Sequence, residues 1–324
     1  MIQLVCGLQY GDEGKGKVVS WLSKEADIVV RAGAGPQAGH YINKDKFVCQ
    51  LPSGVINPDA RLMIGRGTVI DVDILLREIE EYDCADRVFV DPGCTIIEQQ
   101  DIEKERELVH RIGSVGTGTG FARMRRIQRI AKTAYDEPRL SKFLRPVNQE
   151  IIDHNRGGQR IVIEGTQGYG LDLMDNRFYP YVTSQSTGAA QICADAGIGP
   201  RYIDQVWGCC KAYTTRVATG YIKGEWSEEK KAEYGISEKG TISGRLRRVG
   251  DFDPELVSEA MLINGVTHLV VNCVDVMTKN DNVEMWVNDN ILKSLPYDDN
   301  HVWIGMGPNP TDIYRHYPEK TFLF

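Results

Sequence analysis

The chain has 324 residues, of which 42% are hydrophobic and 26% are charged, and its formal net charge is −7. This composition is typical of a globular protein and excludes the disordered, collagenous and disulfide-dense classes. The acidic balance argues against direct nucleic-acid binding but leaves room for local basic pockets that bind phosphates. No apolar run approaches the roughly 18 residues of a membrane span, and the first residues lack a secretion signal, so we expect no membrane association and a cytoplasmic protein.

Short β-branched runs alternate with amphipathic patterns along the chain. The runs predict strands over residues 2–6, 28–30, 62–64, 88–90, 161–163 and 268–274. Apolar spacing predicts helices over residues 17–24, 72–82, 102–110, 122–135, 147–154 and 254–263. A hairpin is predicted over residues 41–50, and a solvated helix followed by a glycine-flanked loop over residues 226–240. The alternation indicates an α/β fold with a mainly parallel sheet flanked by helices, and the hairpin and helical excursions are additions to it. Because no linker divides the chain, we expect residues 1–324 to form a single domain with insertions.

A glycine-rich segment follows the first predicted strand and precedes the first predicted helix. It consists of Gly11, Asp12, Glu13, Gly14, Lys15, Gly16 and Lys17. Glycines there let backbone N–H groups face phosphates, and Lys15 or Lys17 can neutralise phosphate oxygens. A glycine-rich surface turn is the alternative, but the position after the first strand argues against it.

The residue after this segment differs from an ordinary phosphate loop. Val18 stands where such a loop carries the Ser or Thr that holds Mg²⁺, so another oxygen must hold the metal. Asp12 is the candidate, because phosphate repels a carboxylate within the loop unless a cation or a proton transfer involves it.

Five ordered blocks of the sequence closely resemble adenylosuccinate synthetase. They cover residues 9–17, 35–40, 164–168, 179–184 and 240–248. The resemblance implies the P-loop-like α/β fold of that family. It also implies a C–N ligase that joins L-aspartate to C6 of a 6-oxopurine nucleotide, using a nucleoside triphosphate and Mg²⁺.

The resemblance assigns roles to three catalytic residues. The purine O6 is a poor leaving group and must first be phosphorylated, so Asp12 would remove the N1 proton and O6 would attack the γ-phosphate. His40 would donate a hydrogen bond or proton to the developing charge, and Lys15 would neutralise the transferring phosphoryl group. Asp12 and the carbonyl of Gly39 would hold Mg²⁺.

The resemblance also implies three binding sets. For the triphosphate they are Gly11, Asp12, Glu13, Gly14, Lys15, Gly16, Lys17, Gly39, Arg247, Asn272, Asp275, Gly305 and Gly307. For the purine nucleoside monophosphate they are Asp12, Gln37, Ser114, Val115, Arg129, Gln167, Thr183 and Arg245. For L-aspartate they are Thr241, Ile242, Ser243, Gly244, Arg245 and Arg247, since Arg side chains pair bidentately with carboxylates.

Arg129 resembles the family arginine that reaches the nucleotide phosphate of the neighbouring subunit, which implies a homodimer with shared sites. It lies among other basic residues in a predicted helix, and a run of this kind is also typical of a solvated face.

The sequence departs from the family pattern around both nucleotides. Pro36-Gln37 replaces His-Asn, and Val115 replaces a hydroxyl residue. The guanine-reading Thr-Lys-x-Asp becomes residues 272–275, Asn-Cys-Val-Asp, which leaves ATP, GTP and dATP as possible donors.

These departures and the short chain resemble the compact archaeal and viral branch. Its viral members use dGMP and make the succinyl precursor of 2-aminoadenine for bacteriophage DNA, and such an enzyme would act in the host cytoplasm. Asp12, which viral members often lack, is retained here. We expect dGMP as the substrate, with IMP as the alternative. A non-catalytic nucleotide-binding switch is the alternative from another class. A dinucleotide oxidoreductase is disfavoured, because Arg31 stands where an acidic residue is expected.

Overall fold

A nine-stranded sheet organises the part of the chain that the structure describes. The computed structural model describes residues 1–33, 35–217, 219–240, 242, 244–279, 281–296 and 301–317. Its strands are β1 (Ile2–Gly7), β2 (Ile28–Arg31), β3 (His40–Tyr41), β4 (Phe47–Val48), β5 (Arg61–Ile64), β6 (Val69–Ile70), β7 (Val88–Val90), β8 (Thr95–Ile96), β9 (Ile161–Glu164), β10 (Gln205–Lys211), β11 (Thr214–Arg216), β12 (Arg248–Gly250), β13 (His268–Asn272), β14 (Val302–Gly305) and β15 (Ile313–Arg315). Its helices are α1 (Lys15–Leu22), α2 (Val72–Glu81), α3 (Gln99–Ile112), α4 (Thr119–Gln128), α5 (Val147–Arg156), α6 (Ala189–Ala196), α7 (Glu228–Glu233), α8 (Pro254–Asn264), α9 (Val274–Thr278) and α10 (Val283–Asn290).

The order of the large sheet is β15-β14-β13-β10-β1-β9-β2-β5-β7. Neighbouring strands are parallel except for the β14–β15 pair. The α/β fold with a mainly parallel sheet is therefore confirmed, and the six predicted strands all belong to this sheet. β9 pairs with both β1 and β2, so a strand from the middle of the chain lies between the first two.

Both faces of the sheet are buried, as expected for parallel strands covered by helices. Leu4 and Cys6 of β1 belong to one apolar cluster with helices α5, α6 and α8. Val5, which points to the opposite face, packs with Val18 and Val19 of α1. This alternation follows the two-residue period of a strand. It anchors the glycine-rich segment 11–17, called the phosphate loop below, between two elements of the core.

The prediction missed three strands of the large sheet: β10, β14 and β15. β10 reads Gln-Val-Trp-Gly-Cys-Cys-Lys and lacks a β-branched run. Its Gly208 is required by packing, because a Cβ there would lie 2.9 Å from both Leu8 Cδ1 and Val266 Cγ2. Helices α6, α9 and α10 were also not predicted.

Two predicted boundaries were wrong for backbone reasons. The helix predicted over residues 122–135 spans Thr119–Gln128, because Arg129 takes a φ of 64° and ends it. The chain then extends and pairs Thr133 with Thr95. The strand predicted over residues 268–274 ends at Asn272, because Cys273 has a φ of 60° and α9 begins directly after it. The solvated helix expected after residue 226 is α7, which has no buried residue.

The predicted hairpin is present as the β3–β4 pair, and it carries His40. Asn43 Oδ1 accepts the backbone N–H groups of Asp45 and Lys46 and closes its turn. Glu78 of α2 accepts the backbone N–H groups of residues 49, 50 and 51, at 2.6, 3.0 and 2.9 Å. A buried carboxylate with three charge-assisted hydrogen bonds thus fixes the hairpin on the core. None of the helices in the described ranges combines the length and apolar character needed to cross a membrane.

Candidate active site

A cleft of about 920 Å³ opens where the parallel strands end at their carboxyl side. Two pairs of neighbouring strands, one on each side of β1, end there with a buried polar residue: Arg31 on β2, Glu164 on β9, Lys211 on β10 and Asn272 on β13. Ligands of open α/β sheets bind at this edge, because loops from neighbouring strands converge on it. The cleft is therefore built by the sheet topology, and the phosphate loop forms one of its walls.

Glu13 stabilises the conformation of the phosphate loop from its buried side. This fully buried carboxylate accepts the backbone N–H groups of Gln9 and Gly11 through Oε1, at 2.9 and 2.8 Å. Its Oε2 pairs with Lys15 Nζ at 2.7 Å. Gly14, with a φ of 82°, turns the chain into α1. Glu13 therefore shapes the loop and faces away from the cleft, while Lys15 lines it.

His40 and Glu164 form a buried pair. His40 Nδ1 contacts Glu164 Oε1, and because a carboxylate only accepts, Nδ1 carries the proton. Arg31 Nη1 lies 2.6 Å from the same Nδ1 and 3.3 Å from Glu164 Oε1. Since Arg31 and the protonated Nδ1 both donate, we assign the guanidinium to the carboxylate. Ser53 N donates to Glu164 Oε2 at 2.7 Å.

The charges around this pair determine its protonation. Burial and the neighbouring Arg31 lower the pKa of His40 to about 4, so the imidazole is neutral at pH 7 before ligands bind. Burial alone would raise the pKa of Glu164, but His40 and Arg31 outweigh it and bring that pKa to about 2. Among the described residues, His40 Nε2 has no hydrogen-bond partner. His40 lines the cleft, so Nε2 is available to a bound ligand.

The two carboxylate oxygens of Asp12 differ. Oδ2 accepts a hydrogen bond from Thr215 Oγ1 and lies 3.2 Å from Arg247 Nε. Oδ1 is buried and accepts no hydrogen bond from the part of the chain that the structure describes.

Glu238 joins several of the surrounding groups. It accepts from Lys211 Nζ at 2.6 Å, from Arg247 Nη1 at 2.6 Å and from the hydroxyl of Tyr213. Burial would raise the pKa of Glu238, but Lys211 and Arg247 outweigh it and bring that pKa to about 2. An ionised Glu238 thus holds two cations beside Asp12.

The segment 113–115 lies on another side of the cleft. Arg245 Nη2 donates to the carbonyls of Gly113 and Ser114 at 2.7 and 3.0 Å. The Ser114 hydroxyl donates to Glu105. Thr119 Oγ1 donates to Gln37 Oε1 at 2.7 Å, which ties the start of α4 to the segment that precedes His40.

The chain between β13 and β15 completes the cleft next to the phosphate loop. Lys17 Nζ donates to the carbonyl of Gly307 at 2.8 Å, and burial lowers the pKa of this lysine. Asn272 Nδ2 donates to the carbonyl of Glu13 at 2.7 Å. A Cβ at Gly305 would lie 2.1 Å from Asn272 Oδ1 and 2.6 Å from Lys17 Nζ, so only glycine allows this packing.

Sequence comparison identifies the family. The sequence model of the adenylosuccinate synthetase family matches residues 4–136 and 130–302. The adenylosuccinate synthetase of Methanococcus vannielii is 41% identical over 283 residues, which cover 84% of this chain and 83% of the relative. This chain belongs to the adenylosuccinate synthetase family. It is accordingly a ligase that forms carbon–nitrogen bonds. The enzyme of Archaeoglobus fulgidus, 40% identical over 284 residues, covers 85% of this chain, and 84% of its own length is matched.

Two solved structures share the fold. The fully ligated adenylosuccinate synthetase of Plasmodium falciparum superimposes with a TM-score of 0.86 at 22% identity, over 96% of this chain and 98% of that one. The succinoaminodeoxyadenylate synthetase of cyanophage S-2L superimposes with a TM-score of 0.83 at 26% identity, over 97% of this chain and 95% of that one. That structure was solved with dGMP and with dATP as an energy donor.

The cleft brings together most of the residues that the family resemblance assigned. Those lining it are Gly11, Asp12, Gly14, Lys15, Gly16, Lys17, Gln37, Gly39, His40, Ser114, Val115, Gln167, Thr183, Ile242, Arg245, Arg247, Asn272 and Gly307. Thr241 and Ser243 lie outside the described residues.

Among the assigned residues that the structure describes, five do not line the cleft: Glu13, Arg129, Gly244, Asp275 and Gly305. Arg129 is exposed, and its Nη1 donates to the carbonyl of Ile127 in its own chain. Asp275 is half-buried in α9, and burial raises its pKa. Glu13 and Gly305 contribute through the packing described above.

Sequence reasoning missed the groups that support the catalytic candidates. They are Arg31, Glu164, Lys211, Thr215 and Glu238. A usable signal exists for the first three, because each is the single charged residue at the end of an otherwise uncharged strand. No spacing in the sequence indicates that Thr215 reaches Asp12 or that Glu238 holds Lys211 and Arg247.

Members of this family generally depend on Mg²⁺. Mg²⁺ prefers oxygen ligands and is commonly held by one or two carboxylates together with substrate phosphates. Asp12 Oδ1 is a buried carboxylate oxygen that accepts no hydrogen bond within the described ranges, so it fits such a ligand. The Gly39 backbone lines the same cleft.

Proposed function

We propose that this ligase condenses L-aspartate with C6 of dGMP and forms N6-succino-2-amino-dAMP, driven by ATP, dATP or GTP. The proposal depends on one observation: residues that depart from the family pattern lie in the cleft. Gln37, Val115 and Cys273 each replace a family residue at a nucleotide-binding position, and all three line the cleft. The 26% identity with the cyanophage enzyme supports the same substrate. The reaction would serve the 2-aminoadenine pathway of bacteriophage DNA.

The first chemical step would phosphorylate the purine. Asp12 removes the proton from N1, O6 attacks the γ-phosphorus, and the bond to the bridging oxygen breaks so that the diphosphate leaves. Lys15 balances charge on the transferring phosphoryl group. His40 Nε2, protonated when the phosphate charge enters the cleft, donates to the oxygens of that group, and Glu164 stabilises the imidazolium from the opposite side.

The second step would form the carbon–nitrogen bond. The aspartate amine attacks C6 and forms the C–N bond, the C6–O bond breaks, and inorganic phosphate leaves with the proton that the amine gives up. Arg245 binds the aspartate carboxylates, and Ile242 and Arg247 line the same cleft. Arg245 now holds the carbonyls of residues 113 and 114, so it would exchange these for the substrate.

Mg²⁺ would be held by Asp12 and the Gly39 carbonyl, and it would neutralise charge on the β- and γ-phosphates. Gln167 and Thr183, which line the cleft, would bind the purine nucleotide. Arg129, exposed at the end of α4, would reach the nucleotide phosphate of a neighbouring subunit in a homodimer.

IMP is the second candidate substrate, and the reaction would then be the adenylosuccinate synthesis of purine metabolism. It is favoured by the archaeal relatives, which share about 40% identity over most of the chain and are adenylosuccinate synthetases. Asp12, retained here, is compatible with either nucleotide.

The test supplies purified protein with aspartate, Mg²⁺ and one triphosphate, and compares IMP, GMP and dGMP by mass spectrometry of the succinylated product. Product from dGMP in preference to IMP is the expected result. Product from IMP alone would refute dGMP and assign the enzyme to adenylate synthesis. Release of diphosphate without aspartate and a 6-oxopurine would instead indicate a nucleotide-binding switch. Repeating the reaction with ATP, dATP and GTP identifies the donor.

A further inference from the structure

The two oxygens of the Asp12 carboxylate have different surroundings. Its Oδ2 is occupied by the Thr215 hydroxyl and lies near Arg247, whereas its buried Oδ1 accepts nothing from the described chain. A hydrogen bond donated to a carboxylate oxygen stabilises the negative charge on that oxygen and makes the oxygen a weaker acceptor for a further proton. Oδ1 is therefore the oxygen that can take a proton or bind a cation, provided that the side chain does not rotate.

Neighbouring groups fix the direction of the Thr215 hydrogen bond. Lys211 Nζ lies 3.1 Å from Thr215 Oγ1, and an ammonium group can only donate. Oγ1 therefore accepts from Lys211, and its single proton is directed to Asp12 Oδ2. The result is a chain of buried donors from Lys211 through Thr215 to Asp12.

This chain is anchored in the sheet. Lys211 is the last residue of β10, its backbone N–H donates to Gln9 Oε1 at 2.9 Å, and its ammonium is held by Glu238 at 2.6 Å. Thr215 lies in β11 and is fully buried. Because Lys211 and Thr215 are already held in place by the core, they lose little further conformational entropy when they orient Asp12.

Arg247 holds the orientation of the Asp12 carboxylate less well than Thr215 does. Its Nε is 3.2 Å from Asp12 Oδ2 but makes no well-angled hydrogen bond to any described residue. Its Nη1 is held by Glu238. The Thr215 hydroxyl is therefore the directional contact with Oδ2.

We propose that Thr215 is a positioning residue for the ligase reaction, and that it holds Asp12 Oδ2 so that Oδ1 faces the reacting groups. The inference rests on the proposed function, because it gives Asp12 the role of base. Thr215 acts through Asp12 and touches no substrate.

The test replaces Thr215 by valine, which keeps the shape and removes the hydroxyl. Thr214→Val is the matched control, since Thr214 is equally buried in the same strand but its Oγ1 has no partner among the described residues. Thr215→Ser restores the hydroxyl. We expect Thr215→Val to lower kcat by about 10- to 100-fold, the usual cost of a misplaced reacting group, with little change in KM. Thr215→Ser and Thr214→Val keep kcat near that of the wild type.

Crystal structures of the same variants give a readout that does not depend on activity. Asp12 should take more than one rotamer in Thr215→Val and a single rotamer in the other two. An unchanged kcat and an unchanged Asp12 rotamer in Thr215→Val would overturn the inference, as would an equal loss of kcat in Thr214→Val. If Thr215→Val does not fold, Thr215→Ala provides the same comparison. Absence of wild-type activity on every 6-oxopurine would overturn the proposed function instead, while the rotamer comparison would still decide the inference.

Discussion

Replacing Glu164 by glutamine should uncouple His40 from its counter-charge. The carboxylate has four contacts: Ser53 N and Oγ, His40 Nδ1, and Arg31 Nη1 at 3.3 Å. An amide keeps one acceptor oxygen and turns the other into a donor. Wherever the amide nitrogen points, it meets a group that also donates.

The expected loss of stability in Glu164→Gln follows from the burial of the ion pair. Arg31 and Glu164 are both fully buried, so the variant leaves a guanidinium without a counter-charge in the core. Breaking a buried pair by removing one partner costs about 3–5 kcal/mol. At about 2 °C per kcal/mol, the low end for large domains, the Tm should fall by about 6–10 °C. The kcat of the variant should fall about 10²–10⁴-fold, because the imidazolium of His40 is no longer stabilised. This factor is the usual contribution of general acid–base catalysis.

Denaturant unfolding followed by tryptophan fluorescence measures the stability, and formation of the succinylated product measures kcat. Asp101→Asn is the control. It breaks a buried pair in which Arg125 Nε and Nη2 donate to Asp101 at 2.7 and 2.6 Å, far in the sequence from His40. This control should lose stability and keep most of its kcat. If Glu164→Gln lost stability but kept the kcat of the control, the proposed support of His40 by Glu164 would be wrong.

Two further predictions concern the phosphate loop and the acid stability. Gly14→Ala places a side chain at a φ of 82° and puts its Cβ 3.1 Å from Asn272 Nδ2. A left-handed backbone costs about 1–2 kcal/mol. The free loop would relieve this strain by leaving its present conformation and triphosphate binding would have to restore it, so calorimetry should show binding weakened about 5- to 30-fold. Gly158→Ala, at a φ of 83° with nothing within 4 Å, should lose comparable stability without affecting triphosphate binding. Because the pKa of Glu164 falls from 4.5 to about 2 on folding, its stabilisation is complete above about pH 5 and is lost as the pH falls towards 2. Unfolding free energies measured across this range should therefore fall more steeply in the wild type than in Glu164→Gln, and parallel curves would contradict the assignment.

Local patterns were enough to predict most of the sheet and the phosphate loop. β1 and β9 contain β-branched runs, and the glycines at 11, 14 and 16 lie in the short stretch that leads from β1 into α1, so the strand-loop-helix unit is encoded locally. The prediction failed at β10, where cysteine and glycine replace β-branched residues. There, parallel pairing with β1 on one side and β13 on the other supports the strand, and a local pattern does not contain that information.

The roles within the loop also needed the structure. The sequence places Asp12 and Glu13 side by side, and both were predicted to bind the triphosphate. In the folded chain Glu13 faces inward and binds Lys15 and two backbone N–H groups, whereas Asp12 faces the cleft. The backbone direction at each position makes this difference, since a glycine with positive φ precedes Asp12 and another follows Glu13.

The sequence by itself determined the α/β alternation, the phosphate loop and the family, because each of these depends on residues close together in the chain. Only the tertiary structure decided how the cleft is supported. Glu164 meets His40 across 124 positions, and Thr215 meets Asp12 across 203. The physical reason is the parallel sheet, in which strands far apart in the sequence end at one edge. The polar residue at the end of each strand then contacts loops that are distant in the sequence, and no local pattern predicts such contacts.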